Sequence, residues 1–391
     1  MYLCKNLPTN NKKRGILLTR RPGRFLPALT RMLLGGLLLA SLSALGSCGG
    51  SGVSSTPPPA KTYFAYVADS QTGQISGYSV DSGSGALTPL PGFPLLSGLN
   101  PTYITHDSQN KFVIVADIAA NTLHVYAVDA STGALSETDP SPYQVDREPR
   151  ALGWDPAGNF LYVAYQGENE VGAFSFSSAG TLTPVPGAPF PTGGASLYGC
   201  SVVVAPSGKF LYVEDLFDIY AFEINPATGA LALVGSVQGP SSGGGLAVDP
   251  AGAFVYAVGS GANSEMTYAI DSVSGVLSPT STSPLTFQDG AYTITLDASG
   301  SFAYTVESGV SLAAYSLKNG VLTNIGSVSG GAYGSLQLTI DPTGSFIYAG
   351  ETGTVNEVVG YRVASSGTLT ALPSPPVSSG GWPVSITVVS E

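Results

Sequence analysis

Five carboxylates recur at one position of a sequence repeat. Asp69, Asp117, Asp215, Glu307 and Glu351 each stand five residues after a phenylalanine, at Phe64, Phe112, Phe210, Phe302 and Phe346. Tyr165 and Gly259 fill the same position after Phe160 and Phe254. Carboxylates that converge on one rim can hold a divalent cation through their oxygens. The same residue type at a strand end can instead cap a turn by accepting backbone N–H bonds. A second candidate is the segment Asp146-Arg147-Glu148-Pro149-Arg150, the densest charge cluster of a chain in which only 10% of residues are charged. The planar guanidinium of Arg150 suits a bidentate grip on a carboxylate or phosphate. Its alternative is a local ion pair with Glu148 and Asp146. Tyr103, Tyr165, Tyr198, Tyr292 and Trp382 fall at the same level of the repeat and suit a sugar or peptide, or rim packing. His106 and His124 are the only two histidines, and no converging partners suggest a metal or catalytic role. No firm metal site and no required cofactor follow, beyond a possible divalent cation at the acidic rim. Haem attachment and dinucleotide fingerprints are missing.

The elements that position these residues are read from the repeat. Phe-x-Tyr or its variant opens seven copies, at Phe64, Phe112, Phe160, Phe210, Phe254, Phe302 and Phe346, spaced 44 to 50 residues apart. Ile114 replaces the tyrosine in the second copy. Each copy continues to an aromatic (Tyr78, Tyr126, Phe174, Phe222, Tyr268, Tyr315, Tyr361) and then to Gly-x-Leu. Alternating aromatic and β-branched runs separated by Asp-Pro-x-Gly and Thr-Gly turns predict four antiparallel strands per copy. The expected fold is an all-β, seven-bladed β-propeller over residues 62–391. No first strand precedes Phe64. The segment Trp382 to Val389 aligns with the first strands of the other copies and is expected to complete the first blade, closing the ring. Strand direction then puts the loops after each Phe-x-Tyr strand and the starts of the first strands on one face, the expected functional face.

Residues 1–47 carry eight basic and no acidic residues, followed by the apolar run Met32 to Leu45. This pattern reads as a targeting segment, and Leu45-Gly46-Ser47-Cys48 as a lipobox with Cys48 as the lipidation site. Residues 48–61 read as a flexible linker rich in Gly, Ser and Pro. With the eight leader residues removed, 7 Lys and Arg face 26 Asp and Glu, a formal charge of −19. Such a surface disfavours nucleic acid and leaves a lipid anchor as the membrane attachment. Cys4 lies in the leader and Cys48 at the lipobox, so Cys200 has no partner for an intrachain disulfide.

Pro149-Arg150 through Asp155-Pro156-Ala157-Gly158 to Phe160-Leu161-Tyr162-Val163, Phe112-Val-Ile-Val-Ala-Asp117 and the recurrent Thr-Gly-Ala-Leu resemble the 6-phosphogluconolactonase-like, or lactonase, family of seven-bladed propellers. The resemblance spans residues 62–391. It implies lactone chemistry at the channel mouth, but the chain departs from the family's run at several positions. The family's Pro-Arg-His reads Pro149-Arg150-Ala151, its Asn-Glu reads Tyr165-Gln166, its Pro-His reads Pro101-Thr102, and its Asp-Leu-Gly-x-Asp reads Asp117-Ile-Ala-Ala-Asn121. Arg150 is retained to hold a developing oxyanion, while water activation falls to Glu168 or Asp117.

Two functions follow. The first is an exported, lipid-anchored monomer of the bacterial cell envelope. Its propeller would act as a binding platform for an envelope protein, glycan or small molecule. The alternative is a divergent lactone hydrolase using Arg150 with a nearby carboxylate, with Asp117, Gln166 and Glu168 around it.

Overall fold

A computed structural model describes residues 61–145, 147–194, 201–240, 242–260, 264–281, 285–286, 290–307, 311–329, 337–352 and 355–391. The leader, the linker and Cys48, together with Asp146, Tyr198 and Cys200, lie outside the described residues. The described chain folds into seven antiparallel sheets, each of four or five strands, with no helix among the described residues. In the third blade, strands Glu148–Trp154, Phe160–Gln166, Glu170–Phe176 and Leu182–Pro184 run from the innermost outward. The seven Phe-x-Tyr or variant segments all form the second strand of their blade. Their period-2 side chains alternate between the two neighbouring blades, so both faces are apolar and nearly every residue is buried.

The turn before five of the seven second strands has a fixed chemistry. The carboxylates of Asp107, Asp155, Asp249, Asp297 and Asp341 accept the N–H of Phe112, Phe160, Phe254, Phe302 and Phe346. The glycine three residues after four of these aspartates, as in Asp155 to Gly158 (φ 72°), supplies the left-handed residue that closes the reversal, and Asn110 (φ 59°) does so after Asp107.

The repeat's other signatures join blades rather than build them. Each repeat phenylalanine packs on the Gly-x-Leu glycine of the next blade. Phe64 lies against Gly133, Phe112 against Gly180, Phe160 against Gly229, Phe210 against Gly275, Phe254 against Gly320, Phe302 against Gly367, and Phe346 against Gly85. A methyl group on any of these seven glycines would fall within 2.1 to 2.7 Å of the ring. The tyrosine two residues later completes a clasp by donating its hydroxyl to that glycine's carbonyl: Tyr66 to Gly133 (2.7 Å), Tyr162 to Gly229 (3.2 Å), Tyr212 to Gly275 (3.1 Å) and Tyr348 to Gly85 (2.8 Å). Ile114 carries no hydroxyl, so the second blade keeps the ring contact without the hydrogen bond. The Tyr304 hydroxyl is buried without a partner.

The last clasp, Phe346 and Tyr348 on Gly85, connects the seventh blade to the first. The C-terminal strand Pro383–Ser390 completes the first blade, pairing antiparallel with Tyr63–Asp69 from Tyr63↔Ser390 to Asp69↔Pro383. The expected segment, 382–389, is displaced by one residue: Trp382 precedes the strand and its carbonyl accepts the Ser70 N–H. Closure by pairing leaves no open edge between the first and last blades.

Candidate functional site

The innermost strands surround a central cavity of about 670 Å³ at the expected functional face. Five of these strands begin with a β-bulge, whose unpaired residue is Thr102, Arg150, Gly244, Tyr292 or Val384. A bulge bends its strand and re-aims the side chain. Arg150 is thereby turned to the cavity wall, with Tyr292 in the same structural position three blades on. Tyr103, Ser201, Ser242, Ser260, Thr293 and Gln337 add hydroxyl and amide groups. Gln337 Nε2 reaches the Tyr103 hydroxyl at 3.4 Å, and its Oε1 accepts the Ser385 hydroxyl, tying the seventh blade to the second and first.

Arg150 is the one charged side chain among the described residues of this wall. The sequence left it a local ion pair with Glu148 and Asp146 as an alternative; Glu148 has another partner, and Asp146 lies outside the described residues. Arg147 pairs with Glu168 at 3.1 Å and Glu170 at 3.0 Å, and Glu148 accepts from Gln166 Nε2 at 3.3 Å. Pro149 and the bulge separate Arg150 from that network. Among the described residues, no acceptor pairs with its guanidinium. A half-buried cation on a hydroxyl-lined wall is suited to an anionic or strongly dipolar polyol.

The carboxylates expected to work beside Arg150 are elsewhere. Asp117 is fully buried and caps its own loops, accepting the N–H of Leu99, Asn100, Ala119 and Ala120. Glu168 is held outside the cavity by Arg147, and Gln166 by Glu148. None of the five carboxylates of the expected collar lines the cavity, and four of them accept hydrogen bonds from neighbouring groups. Asp69 accepts the Ser76 hydroxyl at 2.7 Å, and Asp215 accepts the N–H of Phe217 and Asp218 and the Tyr220 hydroxyl. Glu307 accepts from Thr305 and Tyr315. The physical reason is register: the fifth residue after the phenylalanine stands at or within one residue of the end of the second strand, and these five side chains are buried there. Burial there raises Asp69 to about 7, and burial with the neighbouring Glu357 raises Glu351. Among the described residues, no group of three His, Cys, Asp or Glu side chains is placed to hold a metal ion.

Of the rim aromatics, Tyr103 and Tyr292 line the cavity, Tyr165 is buried between blades, and Trp382 is exposed and does not line the cavity. His106 lines a second cavity of about 730 Å³ further along the channel, which shares Thr295, Leu296, Gln337 and Leu338 with the first. Its Nδ1 lies 2.6 Å from the Thr387 hydroxyl, and burial lowers its pKa. His124 is outside both cavities, 2.8 Å from Glu137 and stacked on Tyr126.

Glu214 is the carboxyl that position-five counting overlooks. Four residues after the phenylalanine, the other blades carry Ala68, Ala116, Ala164, Val258, Val306 and Gly350. Glu214 is completely buried, and neither of its oxygens has a hydrogen-bond partner of good geometry. Burial, then the charge of Asp215, holds its pKa well above the usual carboxylate range, against the opposing effect of the Gly244 N–H. A carboxylic acid breaking an apolar repeat column was the available sequence signal.

The comparisons with known proteins agree with this architecture. The model of the family "Lactonase, 7-bladed beta-propeller" matches residues 59–195 and 100–290, more than half of the chain. The chain belongs to the lactonase family of seven-bladed β-propellers. Among solved structures, it is similar to a candidate 6-phosphogluconolactonase from Bacteroides fragilis, at 19% identity and a TM-score of 0.70 over 85% of this chain and 99% of that one. A second, from Bacteroides uniformis, gives 19% and 0.71 over 84% and 99%. The periplasmic gluconolactonase PpgL of Pseudomonas aeruginosa gives 19% and 0.67, again over 84% and 99%. At this identity, the likeness is one of fold. No curated protein matches the chain.

Proposed function

We propose that this protein hydrolyses lactones of sugar acids in the central cavity, with Arg150 holding the carbonyl oxygen as negative charge develops on it. The observation that carries the reading is the guanidinium of Arg150, without an acceptor among the described residues and aimed by a bulge into a cavity whose other described wall groups are hydroxyl, amide and apolar. A sugar lactone offers hydroxyls to Tyr103, Ser201, Thr293 and Gln337 and an electrophilic carbonyl to the cation. Opening its ring creates charge that a fixed guanidinium stabilises more than it stabilises the neutral substrate. Membership of the lactonase family supports the same reading, and the hydrolase is preferred to the binding platform on these two grounds. A cell-envelope location is part of the proposal. It rests on the basic, acid-free leader, the apolar run and Cys48.

A platform role keeps one observation in its favour: Leu99, Phe217 and Trp382 are exposed at 70%, 57% and 45% on loops of the cavity face. A panel of aldonolactones, with and without a phosphate, assayed by proton release over the uncatalysed rate, tests the hydrolase. Arg150→Ala should lower kcat/KM by about 100-fold or more. No turnover of any lactone would remove the hydrolase reading.

A further inference from the structure

Two departures from the sevenfold repeat meet in space. One is Glu214, on the second strand of the fourth blade, where the other blades carry Ala, Val or Gly. The other is Gly243-Gly244-Gly245, which opens the innermost strand of the fifth blade. At the bulge position, four other blades present Thr102, Arg150, Tyr292 and Val384, whereas the fifth presents Gly244. All three glycines line the central cavity. The N–H of Gly244 faces the Glu214 carboxyl from the other side. One stretch of bare backbone thus separates the cavity that holds Arg150 from a buried acid whose oxygens have no hydrogen-bond partner of good geometry.

Chance neutrality explains neither departure. An unpaired polar group sealed in a protein interior lowers stability, and six blades show that Ala, Val or Gly fits the column. Glycine at the bulge is required in part by space, because a methyl on Gly244 would fall 2.5 Å from the Val258 carbonyl oxygen. It also leaves the wall without side chains where its backbone N–H faces the acid. Destabilising features that coincide beside a cavity are characteristic of functional positions.

We propose that Glu214 is the proton-transfer group of the site, reaching a bound lactone through a shift of the Gly243–Gly245 bulge. The inference rests on the lactonase reading above. Water oxygen bonds to the lactone carbonyl carbon, with Arg150 holding the oxyanion. The ring carbon–oxygen bond breaks, and Glu214 gives its proton to the departing ring oxygen, which becomes a hydroxyl. The carboxylate takes back a proton from the attacking water, so the acid is regenerated and the product is the open hydroxy acid. The groups facing Glu214 are Asp215 on its own strand and Tyr268 on the third strand of the fifth blade, with the Gly244 N–H. Among the described residues these groups bring no positive charge to it, and burial favours its proton-bearing form.

The test is the pH profile of lactone hydrolysis by the full chain with glucono-1,5-lactone. Wild type should lose kcat as pH rises through the range where Glu214 ionises. Glu214→Gln should lower kcat about 100-fold or more and abolish that alkaline fall. Glu214→Val, which copies Val258 and Val306, should be equally inactive yet melt at a higher temperature, separating chemistry from folding. Wild-type turnover with Glu214→Gln or Glu214→Val retaining kcat within threefold and an unchanged profile would overturn the role of Glu214 and leave the lactonase reading standing. A wild type that opens no lactone would remove both.

Discussion

The clasp between blades makes a separable prediction. Gly133 and Gly344 have the same backbone angle, φ 71°, in the left-handed region. A methyl on Gly344 meets nothing within 4 Å, whereas one on Gly133 falls 2.5 Å from the Phe64 ring and 2.8 Å from Leu90. Gly344→Ala therefore reports the backbone term alone, about 1–2 kcal/mol for a non-glycine residue in this conformation. Gly133→Ala carries the same term plus the collision. Phe64 and Leu90 are buried and have little room to retreat, so overpacking adds about 1–3 kcal/mol more. The total is about 2–5 kcal/mol, well above the Gly344 variant. Gly83 has no positive φ and meets only an Asp81 oxygen at 3.6 Å, so Gly83→Ala should change stability by less than about 0.5 kcal/mol. Urea unfolding followed by tyrosine fluorescence and circular dichroism measures all three in one series. Equal midpoints for Gly133→Ala and Gly344→Ala would refute the argument that the repeat glycine exists to receive the phenylalanine of the preceding blade.

Three further outcomes follow from the same geometry. Tyr66→Phe removes the donor to the buried Gly133 carbonyl and should cost about 1–2 kcal/mol, while Tyr304→Phe removes an unpartnered hydroxyl and should be neutral or stabilising in the same unfolding assay. Deleting residues 383–391 removes the strand that completes the first blade, and should yield a protein that aggregates on expression or loses its cooperative melt; an unchanged melting curve would contradict ring closure by this strand. Asp69, raised to about 7 in the fold against about 4 in the unfolded chain, binds its proton more tightly when folded. Its stabilising contribution is complete below about pH 4 and is lost as pH rises through about 7, so Asp69→Asn should flatten the stability decline between those values and be the more stable protein at pH 8.

The sevenfold period, the strand pattern and the completing C-terminal strand were legible because they are one-dimensional: each is a spacing along the chain. The clasp was not, although its parts, Phe-x-Tyr and Gly-x-Leu, stood in plain view. They pair across blades, 63 to 69 residues apart or across the ring junction, and each motif also makes sense as a local strand or turn. Arg150 was legible as a charge near the mouth, but the sequence could not divide the acids between Arg147 and Arg150. The bulge made that division by turning one arginine inward and leaving the other beside Glu168 and Glu170. The acidic fifth positions invited a collar because repeat equivalence hides direction. Register buries those side chains, and backbone and hydroxyl donors occupy most of them. Glu214 escaped notice one residue earlier, since Asp215 beside it satisfied the expected pattern.

The most direct test of the proposed function is a crystal structure of the protein with gluconate, the hydrolysis product of the simplest sugar lactone, paired with calorimetry on Arg150→Ala. The geometry predicts the carboxylate within hydrogen-bond distance of the Arg150 guanidinium, the hydroxyls among Tyr103, Ser201, Thr293 and Gln337, and at least a tenfold loss of affinity in the variant. Gluconate bound away from this cavity, or held equally well without the guanidinium, would contradict it.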